Sequence, residues 1–184
     1  MFDKNCEKPI DVWEIDAHGT SEIYKSIKQK ILNYCKEKNS CIDKVVHKNP
    51  NKKFECGISG IRGHQFERYP GDKTYDFFTF IQKTDESMHT GTSTRYFLKF
   101  LFDTEIEATN FKDYLKTKMA RFCLSIYKIN QHIDSGELGS VPYLPTYTRS
   151  WSNEDVAKEI GLTEEELAWA INWIEDFYPE DFAK

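Results

Sequence analysis

The sequence predicts an α+β fold: a small mixed or antiparallel sheet packed on a long amphipathic helix, with a C-terminal helical tail. Three observations carry this. From Thr104 onward, Ala108, Phe111, Leu115, Met119, Phe122, Ile126 and Ile129 recur in steps of three and four, one stripe of a helix with about 3.6 residues per turn. Two runs, Tyr75–Ile81 and Arg95–Phe102, are dense in aromatic and β-branched residues and bounded by Gly or polar turns, as strands are. Thr163 followed three residues later by Glu166 has the form of a capping box, and Leu167, Ala170, Ile171 and Ile174 supply the apolar side of the helix it opens.

The remaining elements follow in chain order. Ser21 can cap a first helix running to about Asn39, with Ile23, Tyr24, Ile27, Ile31, Tyr34 and Cys35 inward and Lys25, Lys28, Lys36 and Lys38 outward. Cys41 to Phe54, with Pro50 and paired lysines, reads as a loop. Gly57, Gly60 and Gly63 then punctuate a run that ends Ile61-Arg62-Gly63-His64, followed by Arg68. That run reads either as a tight turn between strands or as a close backbone approach to a partner, in which Arg62, His64 and Arg68 would make the contacts. Between the two expected strands, Lys83 to Thr94 is a polar connection whose end, with Thr94 and Arg95, can bond phosphates or base edges.

Thr104 and Glu107 form a capping box at the start of the long helix. Lys112, Lys116, Lys118, Arg121 and Lys128 lie off its apolar stripe, where their cationic heads can reach solvent or phosphate. Beyond it, Val141 to Trp151 is expected to be extended, because Pro142 and Pro145 each disfavour helix at the residue before them. Trp151 is expected to pack beneath the final helices.

One domain over 1–184 accounts for this, with a helix and β-rich part at 1–103 and the long helix, linker and tail at 104–184. The 13 Phe, 10 Tyr and 4 Trp are enough to fill its core. No apolar run approaches the roughly 20 residues that span a bilayer, and the first residues lack a signal-peptide core, so the expectation is a cytoplasmic protein without membrane contact. Five cysteines, odd in number and without a Cys-x-x-Cys pair, predict free thiols. The net charge is −5, unevenly spread: Lys25 to Lys73 holds 12 Lys/Arg against 5 Asp/Glu, whereas Ser150 to Lys184 holds 2 against 10. A basic front can meet phosphates, and an acidic tail leaves room for a protein partner.

Catalytic patterns are weak. Gly57-Ile58-Ser59-Gly60 is not a nucleophile elbow, since Ile61 stands where that turn needs Gly. Cys35, Cys41, His47, Cys56 and His64 have irregular gaps rather than the short paired spacings of zinc sites. Asp76, Asp85 and Glu86 are not followed by the carboxylate-x-Lys element expected of a nuclease. Neither a catalytic residue nor a metal ligand is assigned.

The run Asn110-Phe111-Lys112-Asp113-Tyr114-Leu115-Lys116-Thr117-Lys118-Met119-Ala120-Arg121-Phe122, then Val141-Pro142, Trp151 and Gly161-Leu162-Thr163-Glu164-Glu165-Glu166, resembles the C-terminal part of adenine-specific DNA methyltransferases from type II restriction-modification systems. The similarity covers roughly residues 90–175. It implies a target-recognition domain that contacts double-stranded DNA beside a methyltransferase catalytic domain or subunit. The Asn/Asp-Pro-Pro-Tyr/Phe loop that holds a flipped adenine is missing, since Lys48-Asn49-Pro50-Asn51 lacks the second proline and the aromatic. The Gly-rich S-adenosylmethionine turn is missing too, so that cofactor is expected only in a separate catalytic domain. On this reading Arg62 and Arg95 belong to the residues that read bases, with His64, Arg68 and Thr94 as further contacts, and Lys116, Lys118 and Arg121 position phosphates. The alternative is a stand-alone interaction protein that binds or regulates a restriction-modification subunit.

Overall fold

The computed structural model describes residues 21–38, 41–42, 52–62, 76–84, 98–127 and 137–174. Helix α1 spans Glu22–Glu37, and Ser21 Oγ accepts from the Tyr24 N–H as its N-cap. Strands β1 (Phe54–Arg62), β2 (Asp76–Lys83) and β3 (Leu98–Phe102) form an antiparallel sheet of order β2-β1-β3. Helices α2 (Glu105–Lys116) and α3 (Lys118–Ser125) follow, then a 3-10 turn at Glu137–Ser140, an extended linker, and helices α4 (Asn153–Ile160) and α5 (Glu164–Trp173). The fold class is α+β, as the residue pattern predicts.

Two elements differ from the sequence reading. The glycine run is strand as far as Arg62: Gly57 and Gly60 lie within β1, the central strand, and the register shifts between Ile58 and Gly60, while Gly63 lies outside the described residues. Gly57 faces Phe80 across the ladder, and a Cβ at Gly57 would stand 2.1 Å from Phe80 Cζ, so the ring lies where a side chain would go. Close approach, rather than a special φ, therefore calls for glycine here. The long helix is two helices. Thr117, at φ −63° and ψ 147°, ends α2 and caps α3. Its Oγ1 donates to the Tyr114 carbonyl at 2.7 Å and accepts from the Ala120 N–H at 3.2 Å, the competition with helical bonds typical of a threonine side chain.

The apolar stripe survives the break. Ala108, Phe111, Leu115, Met119, Phe122 and Ile126 are all buried, while Ile129 lies outside the described residues. The inner sheet face, with Cys56, Ile58, Phe77, Phe100 and Phe102, packs with α2, and rings knit strand, helix and linker together. Phe100 and Phe111 centroids are 4.7 Å apart, Phe111 and Tyr147 4.9 Å, and Tyr143 and Tyr147 5.2 Å. Each buried ring contributes about 1.5–3 kcal/mol. A second group forms where Tyr24 of α1 and Phe122 of α3 meet Trp169 and Trp173 of α5.

The linker is extended, as expected. The Ile42 N–H donates to the Val141 carbonyl and Cys41 bridges Pro142, tying the residues after α1 to it. Trp151 is buried; its indole N–H donates to the Thr146 carbonyl at 2.7 Å, and the Arg149 guanidinium lies 4.0 Å from its ring centroid. The expected capping boxes at Thr104/Glu107 and Thr163/Glu166 are present, joined by a third at Ser152/Asp155. Gly161, at φ 84°, ends α4 in the left-handed region. No helix among the described residues is long and apolar enough to cross a membrane.

Candidate nucleic-acid interface

The residues expected to meet DNA fall into two groups. Arg62 is the last residue of β1, opposite Asp76, the first residue of β2. His64, Arg68, Thr94 and Arg95 lie outside the described residues, as do the side-chain atoms of Arg62. The ends that flank them are nevertheless informative. Residues 63–75 leave from Arg62 and return at Asp76, and residues 85–97 re-enter the sheet at Leu98, opposite Ile58. The antiparallel register puts the Arg62–Asp76 pair and Leu98 towards the same end of the sheet, the end away from the Phe54–Lys83 pair.

The second group is dispersed. Lys116, in the last turn of α2, is half-buried, and its ammonium donates to the Phe77 carbonyl at 2.7 Å. Phe77 sits on β2, an outer strand of the sheet among the described residues. Lys118 is half-buried at the first position of α3. Arg121 is the clearest departure from expectation: its exposure is 1%, within a stretch of α3 from Met119 to Leu124 that is buried throughout. Its expected place on a solvated face is therefore corrected; a side chain inside the core does not reach a phosphate from there.

The cause is the surroundings of α3. That helix meets α2, α4, α5 and the 3-10 turn, so no side of it is left for a charged stripe. Six consecutive residues with one cation among Met, Ala, Phe, Cys and Leu carry the corresponding sequence signal, a helix apolar all round.

The opposite charge gathers on the tail. Helix α4, a three-residue turn and α5 form a helical hairpin with Glu154, Glu164 and Glu165 exposed. The acids of both first turns suit the positive helix ends. Glu166, 6% exposed, accepts from Ser26 Oγ at 2.6 Å, from Lys30 Nζ at 2.7 Å and from the Thr163 N–H at 2.7 Å. Burial alone would raise its carboxyl; the hydrogen bonds from Lys30, Ser26 and Thr163 overcome that and hold the pKa at about 2. Tyr34 of α1 donates to Glu159 of α4 at 2.9 Å. Glu159 and Glu166 of the hairpin thus bind α1, and the exposed Glu164 and Glu165 in the first turn of α5 would repel a phosphate backbone.

On the sheet's outer face, Glu55 is 2% exposed and accepts from Gln82 Nε2, with Lys99 Nζ at 3.2 Å. Gln82 is its direct partner on β2, whereas Lys99 reaches it diagonally from its place opposite Gly57 on β3.

An open cleft of about 170 Å³ lies between the end of β3, the start of α2 and the linker, walled by Lys52, Phe102, Glu107, Tyr143 and Tyr147 among others. Its polar groups are committed internally: Lys52 pairs with Asp103, Glu107 completes the Thr104 cap, and Tyr147 Oη accepts from the Leu144 N–H.

Cys35, Cys41, Cys56 and Cys123 are buried free thiols. Burial pushes Cys56 up to about 12 and Cys123 well above the ordinary thiol range, so neither is a thiolate near neutrality. Among the described residues no three His, Cys, Asp or Glu side chains converge as metal ligands would. Comparison with known protein families, curated proteins and solved structures gives no match to this chain.

Proposed function

We propose that this chain is the DNA target-recognition part of an adenine-specific methyltransferase from a restriction-modification system. It would act on double-stranded DNA beside a catalytic domain or subunit that carries S-adenosylmethionine and flips the base. One observation supports the reading: the first stretch of the family-like pattern is tied to the linker and to α4, which lie between its later parts. Asn110 Nδ2 donates to the Tyr147 carbonyl at 2.8 Å, Tyr114 Oη to the Pro142 carbonyl at 2.8 Å, and the Met119 N–H to Asn153 Oδ1 at 3.0 Å. Thr163 and Glu166 cap α5, and Glu166 fastens it to Lys30 of α1.

In this reading α2, α3, the linker and the tail are the frame. The recognition side chains would be Arg62, His64, Arg68, Thr94 and Arg95, contacting bases or backbone. Binding of fluorescently labelled duplexes followed by anisotropy across a salt series tests it. Support is an affinity that falls log-linearly with salt and favours some sequences over the pool. Absence of binding at low salt overturns it.

A second reading is favoured by the exposed acids of the α4–α5 hairpin: an interaction protein that docks on a methyltransferase or restriction subunit. A complex with such a subunit, formed by a chain that binds no duplex, would replace the first reading with this one.

A further inference from the structure

We infer that the outward stripe of α1, carrying Lys25, Lys28 and Lys36, is a second contact with the phosphate backbone of duplex DNA, separate from the sheet end that would read bases. The inference rests on the DNA-recognition reading above and says where phosphate neutralisation comes from. Two of the cations expected to supply it are otherwise placed: Arg121 lies in the core and the Lys116 ammonium is bonded to the Phe77 carbonyl.

Lys25, Lys28, Gln29, Leu32, Asn33 and Lys36 follow steps of three and four along α1, hence share one side of the helix. From Lys25 to Lys36 that side runs about 16 Å, a length over which a duplex strand presents several phosphates. Lys25 and Lys36 are exposed and Lys28 is half-exposed. The acids of α1 are Glu22, which pairs with Lys25 at 2.7 Å, and Glu37, exposed beside Lys36; even counting both, the three lysines keep a positive excess. Gln29 and Asn33, hydrogen-bonded to each other at 2.7 Å, add neutral groups of the kind that bond phosphate and sugar oxygens.

The acidic hairpin does not face this side. It is met by Ser26, Lys30 and Tyr34, which lie roughly 100–180° around the helix from Lys25. The chemistry of the stripe selects a polyanion over a protein surface. The exposed large apolar side chains among the described residues are Phe78, Ile106 and Tyr127, none on α1, whereas a protein interface needs buried aromatic or aliphatic anchors. Phosphate contact needs only the cations.

The test compares the full chain with the Lys25→Gln/Lys28→Gln/Lys36→Gln variant on one fluorescein-labelled mixed-sequence duplex of about 20 base pairs, from low to moderate salt. Each lost phosphate contact reduces the slope of log affinity on log salt by about 0.9, so the triple variant is expected to lose roughly 2–3 from the slope, with a matching loss of affinity at every sequence. Lys158→Gln, an exposed lysine on α4, is expected to leave the slope unchanged. If the unaltered protein binds and the triple variant keeps its slope, the stripe is not a phosphate contact while the recognition reading stands. If the unaltered protein binds no duplex at low salt, the recognition reading fails and the stripe falls with it.

Discussion

Tyr114 donates its phenolic hydrogen to the Pro142 carbonyl at 2.8 Å in the interior, joining the last turn of α2 to the start of the linker. Tyr114 is fully buried, and burial raises its phenol well above the ordinary tyrosine range, so the donor keeps its proton near neutral pH. Replacing it by Phe preserves the ring contacts with Phe111 and Tyr147 and removes only the hydroxyl. The Pro142 carbonyl is then left inside the core without this donor, which costs about 1–3 kcal/mol. Urea unfolding should show the midpoint falling with an unchanged m-value. A loss below about 0.5 kcal/mol would mean that water reaches the carbonyl.

Glu166 gives the domain an acid-sensitive joint. Its pKa falls from 4.5 to about 2 on folding, so its contribution is complete above about 4.5 and is lost as pH drops towards 2. Stability measured between pH 6 and pH 2 should therefore decline through that window. Glu166→Gln, which keeps the shape but not the charge, should flatten part of the decline and cost roughly 1–3 kcal/mol near neutrality, with Lys30 partly exposed and its pairing screened accordingly. Equal pH profiles for the two proteins would remove Glu166 as the cause.

Arg121 separates the two meanings a basic residue in this helix can carry. As a core side chain, its replacement by Ala should destabilise the protein by roughly 2–4 kcal/mol through the space vacated and the buried polar contacts disturbed. It should leave the salt slope of DNA binding unchanged at temperatures where the variant is folded. A stable variant with a shallower slope would return Arg121 to the phosphate contacts and contradict its burial.

Arg121 also marks where sequence reading stops. The apolar stripe from Ala108 to Ile126 was legible because side chains three and four apart share a face whatever the fold around them, and the capping boxes at Thr104 and Thr163 were legible because their partners are three residues away. Arg121 was not, since its burial depends on four other elements closing round α3, a long-range fact with no local periodicity. Thr117 was ambiguous for a different reason: a hydroxyl that serves as a cap in one backbone state is an ordinary exposed residue in another. At the candidate interface, only Arg62 of the base-reading set falls on a described element, and there the glycine pattern pointed to a turn where a strand stands. Glycines under an aromatic ring and glycines in a turn look alike until the partner strand is known.

Gly57 supplies the test of that last point. Its neighbour across the ladder, Phe80, places three ring atoms within 2.1–2.7 Å of an added Cβ, closer than any real contact. Gly57→Ala must push the ring outward or bend β1, at a cost of about 1–3 kcal/mol. Phe80→Leu in the same chain offers a smaller, more flexible neighbour, so the double variant should recover part of the loss, with a coupling of about 0.5 kcal/mol or more in a double-mutant cycle. Additive effects would mean that the Phe80 ring leaves Gly57 without resistance. The glycine would then owe its place to the register shift beside it at Ile58 and Gly60, and substitution at Gly60 should be the more damaging of the two.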